Sequence, residues 1–444
     1  MLSSQSSPAV HRRCLTGKSA TRRRTLARAA LPCNAGMRSG SARVPCIDSG
    51  RQAGQPRPPL ATEPAMPNSL AHPADLGVRP VWMEIDLVAL ANNYRQIERL
   101  AKGRKIIAAI KADAYGHGAV AVARELGRLG CPLLGTGSFA EALAMRAAGI
   151  DTPILMFGGY LPEGMASLRQ HRLIPTVHSP ESAQALARLA GGTTVSVYVE
   201  IDGGLGRLGV PMDQAVGFVR QVAEMPGVNL EGVYTHTPFG NEAGKRWALG
   251  HLSTFERVLQ QLQQYGVKLP VTQANASPGL LHELPDRCNA VCPGQLLYGF
   301  APVAGDAPAA GFQPVARAVR GRLVHVQPDQ PARAIGSGGG YALAAGHTTG
   351  VIPFGLADGN RNPAGGQAAH MLWQGRRARV VGVSLEHCTL DFGPGVRPRV
   401  GDVVTILGED GGERIGLGDL AAWQGVRPID VLMTMSGRLP RQAG

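Results

Sequence analysis

The sequence predicts an α/β chain: a (β/α)8 TIM-like barrel followed by a mostly β C-terminal domain. Three observations predict it. Eight short, apolar, β-rich runs alternate with amphipathic helical segments between residues 105 and 292. None of these runs leads into the Gly-x-Gly-x-x-Gly turn of a doubly wound dinucleotide-binding sheet. Beyond about residue 311 the helical pattern fades, and β-rich runs separated by Gly, Pro and Asp turns take over. With 444 residues the chain can hold two folded domains. The expected boundaries are an extension over 1–79, the barrel over 80–312 and the β domain over 313–444.

In chain order, the extension comes first. Residues 1–79 are rich in Ser, Pro, Gly and Arg and have no apolar period, so they are expected to be disordered. Residues 1–65 hold eleven Lys/Arg against Asp48 and Glu63, which is +9 of the chain's net +13. The remaining +4 belongs to a lightly basic body that needs no nucleic-acid partner. The Arg- and Ser-rich start resembles an organelle transit peptide. The simpler expectation is that Met66, sixteen residues before Trp82 where the folded pattern begins, is the true start.

The barrel strands are expected at 105–110, 132–136, 153–157, 173–177, 195–201, 230–235, 271–274 and 289–292. Helical segments include 119–129, 141–148, 211–224 and 245–265. The β domain is expected to use runs at 315–326, 349–354, 378–385, 389–392 and 402–407. No apolar run of about eighteen residues occurs, so no membrane span is expected. Of seven cysteines, Cys14, Cys33 and Cys46 fall in the extension. Cys131, Cys288, Cys292 and Cys388 show no metal-ligand spacing. A reducing cytoplasm fits, and neither a disulfide framework nor a metal site is expected.

The chemistry begins at Lys111. The run Ile106-Ile-Ala-Ala-Ile ends in this lysine, followed by Tyr115 and the glycine-flanked Gly116-His-Gly118. A lysine at the exit of a buried parallel strand stands on the catalytic face of a barrel, where partial desolvation lowers its pKa and lets it form a Schiff base. Elsewhere such a lysine simply snorkels to solvent. Asp202-Gly-Gly-Leu-Gly-Arg207-Leu-Gly closes the run at 195–201, and glycines around one arginine suit close approach of a carboxylate to a bidentate fork.

Both segments resemble motifs of the alanine racemase family, and the resemblance extends over nearly all of 82–441. It implies that Lys111 carries pyridoxal 5'-phosphate and that Tyr115 binds its phosphate. Ser277 in Asn275-Ala-Ser277-Pro and Gly294-Gln295 after Pro293 match the remaining phosphate positions. Arg207 matches the arginine beside the substrate carboxylate. Glu200, seven residues earlier, stands where many members have a carboxylated lysine, so it supplies a carboxylate directly. His236, in Val-Tyr-Thr-His, matches an imidazole that supports the pyridine ring. Leu385, in Ser384-Leu-Glu-His-Cys388, lies in a segment whose backbone meets the substrate carboxylate.

Two departures stand out. Cys292 replaces the arginine that donates to the pyridine nitrogen, and a thiol is a weak donor there. The partner-subunit tyrosine that serves the second face of Cα falls on Ser337, with Tyr341 four residues later as the phenol that can replace it. The resemblance implies a pyridoxal-phosphate-dependent amino-acid racemase acting as a homodimer, with each site shared between one barrel and the partner's β domain. Two alternatives stay open at this stage. One is a decarboxylase or other one-base enzyme on a different amino acid, and the other is an inactive cofactor-binding protein.

Overall fold

Eight parallel strands close a barrel in the computed structural model, which describes residues 80–300, 302–303, 311–336, 339–435 and 437–444. The extension expected over 1–79, with Met66, lies outside the described residues, as does Ser337. A first strand, β1 (Val81–Ile85), precedes the barrel. The barrel strands are β2 (Lys105–Ala109), β3 (Leu133–Thr136), β4 (Ile154–Met156), β5 (Leu173–Val177), β6 (Val195–Glu200), β7 (Val228–Tyr234), β8 (Val271–Ala276) and β9 (Ala290–Cys292). β9 pairs with both β8 and β2 and shuts the ring.

The eight runs expected from the sequence are these eight strands. They read as nearly continuous apolar segments because a parallel strand is covered on both faces, by helices outside and side chains within. Inside, every strand contributes to one apolar cluster: Ile107, Leu133, Leu155, Tyr198, Tyr234, Val271 and Ala290, with Ile174 packed against it. The barrel is therefore a packed core without a pore. The outer helices present apolar stripes to it, as in Glu242–Gln264, which buries Ala248, Leu252, Phe255, Val258, Leu259 and Leu262. Helix Leu87–Ala101 starts at Asp86, whose carboxylate accepts the Ala89 N–H at 2.7 Å.

The second layer is a ten-stranded sheet in the same compact unit. It contains β10 (Ala316–Arg322), β11 (His325–Gln330), β14 (His347–Ile352), β15 (His370–Trp373), β16 (Arg376–Val383), β17 (Cys388–Pro394), β18 (Val403–Asp410), β19 (Glu413–Ile415) and β20 (Arg441–Ala443), together with β1. The separate hairpin of β12 (Arg333–Ile335) and β13 (Tyr341–Leu343) stands apart from it. The run expected at 315–326 is two strands, broken at Leu323-Val324. Although β1 precedes the barrel in sequence, it belongs to the sheet, antiparallel to β10 and parallel to β20. Its alternate residues Val81, Met83 and Ile85 are buried, and Glu84 on the other face pairs with Arg317 and Arg320 at 3.0 and 2.9 Å.

Candidate active site

A cavity of about 260 Å3 opens at the C-terminal ends of the barrel strands. Lys111, Tyr115, Glu200, Arg207, His236, Ser277, Cys292, Gly294 and Gln295 all line it. Nine of the twelve residues singled out in the sequence thus converge on one space. Of the other three, Leu385 and Tyr341 do not line the cavity of their own chain. Leu385 is exposed on the turn between β16 and β17. Tyr341 begins β13, where its hydroxyl donates to Asp391 Oδ2 at 2.9 Å beneath the Arg379 guanidinium. Ser337 is not among the described residues. A larger cavity, about 560 Å3, lies behind Tyr298 and has no lysine in its wall, so size alone does not locate the chemistry.

Lys111 owes its direction to an uncommon piece of backbone. Ala112, Asp113, Ala114 and Tyr115 all have φ near +53°, a single turn of left-handed helix built without glycine. Each such residue costs about 1–2 kcal/mol relative to the right-handed form. Several bonds hold the turn. The Ala114 N–H donates to Ile110 O and the Gly116 N–H to Ala112 O, at 2.9 and 3.0 Å. Asp113 N–H donates to Glu141 Oε1 at 2.9 Å, and Asp113 Oδ1 accepts Ala119 N–H at 2.8 Å. Gly116 and Gly118, at φ +86° and +95°, let the chain leave the turn. The sequence gives the lysine and the glycines but no sign of the reversed turn between them.

The charged side chains of the cavity are Lys111 and the pair Glu200–Arg207. Glu200 ends β6, almost fully buried, with Oε1 4.0 Å from Arg207 Nη2 and Oε2 accepting the Tyr234 hydroxyl at 3.3 Å. Tyr234 is itself 3.0 Å from the Thr176 hydroxyl. Burial raises the Glu200 pKa, and Arg207 and Tyr234 oppose that rise. Burial lowers Lys111 from the ordinary lysine value. It pushes His236 down to about 3, with Lys111 and Arg207 adding to the effect, and the Cys292 thiol up to about 12. At neutral pH imidazole and thiol are both uncharged. Tyr234 and Thr176 were not singled out from the sequence. The available signal is strand alternation, since Tyr234 lies two residues before His236 and points to the same side.

This strand order, with a site lysine after the first barrel strand and a following β sheet, is that of a known family. The family model for the alanine racemase N-terminal domain matches residues 85–302, and that for the C-terminal domain matches 316–443. The chain belongs to the alanine racemase family. The alanine racemase of Desulfovibrio desulfuricans is 33% identical over 367 residues, covering 82% of this chain and 98% of that one. Among solved structures, the alanine racemases of E. faecalis and Bacillus anthracis align with TM-scores of 0.75 each. Their identities are 28% and 27%, each alignment covers 82% of this chain, and the shares of those chains are 98% and 95%. The second of these is described with bound L-Ala-P.

The residues present fit the pyridoxal phosphate that the alanine racemase family implies. Gly294 is a cradle position, since a Cβ there would stand 2.5 Å from Tyr115 Oη. Ser277 Oγ accepts the N–H groups of Gly294 and Leu296 at 2.9 and 3.3 Å, which leaves its own proton to donate into the cavity. Tyr115, Ser277 and Gln295 are neutral donors gathered around that cradle, opposite the partly desolvated amine of Lys111.

Proposed function

We propose that this chain is a pyridoxal-phosphate-dependent racemase of a small amino acid, alanine first among candidates, acting as a homodimer in the cytoplasm. The observation that carries the reading is the meeting of half-buried Lys111 with the Arg207–Glu200 pair and the Tyr115/Gly294 cradle in one cavity. Tyr115, Ser277, Gly294 and Gln295 would hold the phosphate. When bound, the cofactor supplies the electron sink that acidifies the substrate Cα. Lys111 holds the cofactor, and its amine, eased toward neutrality by burial, takes and returns the Cα proton on one face. Arg207 orients the substrate carboxylate, and Glu200 fixes the guanidinium in turn.

Cys292 and His236 would be the uncharged groups beside the ring, which supports a weak sink and a reversible proton transfer without further bond cleavage. The second face would be served from the partner's β domain, by Tyr341 with its Asp391 and His347 neighbours; His347 Nδ1 is 2.9 Å from Asp391 Oδ2. The Leu385 backbone would approach from the same side. In the described residues no helix is long and apolar enough to cross a membrane, and the four described cysteines are free thiols, which supports a cytoplasmic site of action.

The test is exchange in deuterated water. Protein loaded with pyridoxal phosphate should exchange the Cα proton of both L- and D-alanine and interconvert them, and borohydride should fix the cofactor to Lys111. Exchange from one enantiomer only, release of carbon dioxide, or an adduct on another lysine would each defeat the racemase reading.

A further inference from the structure

The left-handed turn of Ala112–Tyr115 is held by His117, whose Nδ1 is 2.9 and 3.0 Å from the Ala114 and Tyr115 carbonyl oxygens, and by two side chains from more distant elements. Glu141, on the barrel helix Phe139–Ala147, takes the Asp113 N–H. Arg441, on β20 of the sheet, makes the other connection. Its Nη2 is 2.8 Å from Asp113 Oδ2, and Nε and Nη2 both donate to Gly116 O, at 3.2 and 3.1 Å. Nη1 donates to Leu439 O at 3.2 Å, which fixes the side chain from its own strand. The guanidinium side chain is only 19% exposed, so this ion pair is shielded from solvent on the arginine side. The stem lies over Gly118, where a Cβ would stand 3.7 Å from Arg441 Cδ. Arg441 thus grips the turn at Asp113 and again where it unwinds at Gly116, on either side of Tyr115.

We propose that Arg441 is a positioning residue for the cofactor lysine: through Asp113 and the Gly116 carbonyl it holds the left-handed turn that aims Lys111 and Tyr115 into the cavity. The proposal rests on the reading of Lys111 as the cofactor residue. Without the grip, the turn has its local bonds, His117 and Glu141 against four unfavourable dihedral pairs, and the lysine samples other directions.

Amide exchange of the cofactor-free protein, compared between wild type, Arg441→Gln, Arg441→Lys and Asp113→Asn, tests the grip directly. The Gln and Asn variants should speed exchange at Ala114, Gly116 and Gly118 by roughly tenfold, the equivalent of one charge-assisted hydrogen bond, while barrel-strand amides stay protected. Pyridoxal phosphate should dissociate faster by a similar factor, and the pH at which its visible absorbance titrates should move. Arg441→Lys should recover part of each effect. If Arg441→Gln fails to fold, the near-isosteric Asp113→Asn reads the same ion pair. Unchanged exchange at the turn, or a uniform rise across the whole fold, would overturn the proposal. Altered exchange at the turn with an unaltered absorbance titration and cofactor release would also overturn it, because the grip would then not reach the lysine. A wild type that takes up no cofactor would instead refute the functional reading, a result distinct from any change at the turn.

Discussion

Glu200 takes one oxygen to Arg207 and the other to Tyr234, so its carboxylate is committed on both sides inside a nearly closed wall. A carboxylate already on the side chain needs no carbon dioxide. Activity is therefore expected to be the same in bicarbonate-free and bicarbonate-rich buffer. Glu200→Gln should cost about tenfold to a hundredfold in kcat/KM, the lower end reflecting the half-exposed Arg207. Full activity in that variant, measured by alanine interconversion, would remove the pair from the mechanism. At this scale the sequence was informative wherever a residue sat in a recognisable local string. Lys111 before Tyr115, Arg207 among glycines and Glu200 seven places earlier were all legible. Tyr234, Thr176 and Arg441 were not, because each acts through a contact made by strands distant in sequence or by the barrel's inward alternation. No local string records those contacts.

The eight barrel strands could be read as elements because burial on both faces leaves an apolar run of the right length with turn residues at its ends. The short strands outside the barrel could not. β12, β13, β19 and β20 have three residues each, too few for a period to register. The left-handed turn was equally silent, since in Ala-Asp-Ala-Tyr only the aspartate leans toward positive φ and the turn's stability comes from Glu141, Arg441, His117 and its own hydrogen bonds. The element after β9 carries a sharper constraint. Gly294 faces the Tyr115 hydroxyl so closely that Gly294→Ala must displace the ring or the strand end. The expected outcome is weaker pyridoxal phosphate binding, by about tenfold, with a melting temperature for the cofactor-free protein close to wild type. Equal cofactor affinity in equilibrium titration would show that the cradle is not used.

Across the molecule, acid should act partly through His117. Its imidazole is 1% exposed, stacked on Tyr298 at 4.6 Å, and burial holds its pKa down to about 4 from 6.5. The folded state thus favours the neutral ring. That stabilisation is complete above pH 6.5 and is lost as the pH falls through 4, with about 2 kcal/mol gone by pH 5. Urea unfolding of the cofactor-free protein at pH 7.5 and 5 should show His117→Gln losing correspondingly less than wild type; an equal loss in both would clear His117. A second prediction at this scale concerns the proposed dimer. Lys111→Ala and Tyr341→Phe should each be nearly inactive, but co-refolded together they should regain a substantial fraction of activity, since one site in a mixed dimer has both residues intact. No recovery would rule out sites shared in this way. The placement of β1 beside β10 and β20 bears on how the molecule is made. The barrel lies in the chain as an insertion between the first strand of the sheet and the rest of it. A chain emerging from the ribosome can close its barrel early, while Val81–Ile85 waits for partners that arrive more than two hundred residues later. Arg441 comes later than the whole barrel, so a nascent chain can own a finished barrel and still lack the grip on its lysine. Competence to take up cofactor would then follow the arrival of β20, and a product stalled before β10 would be recognisable by its unpaired first strand.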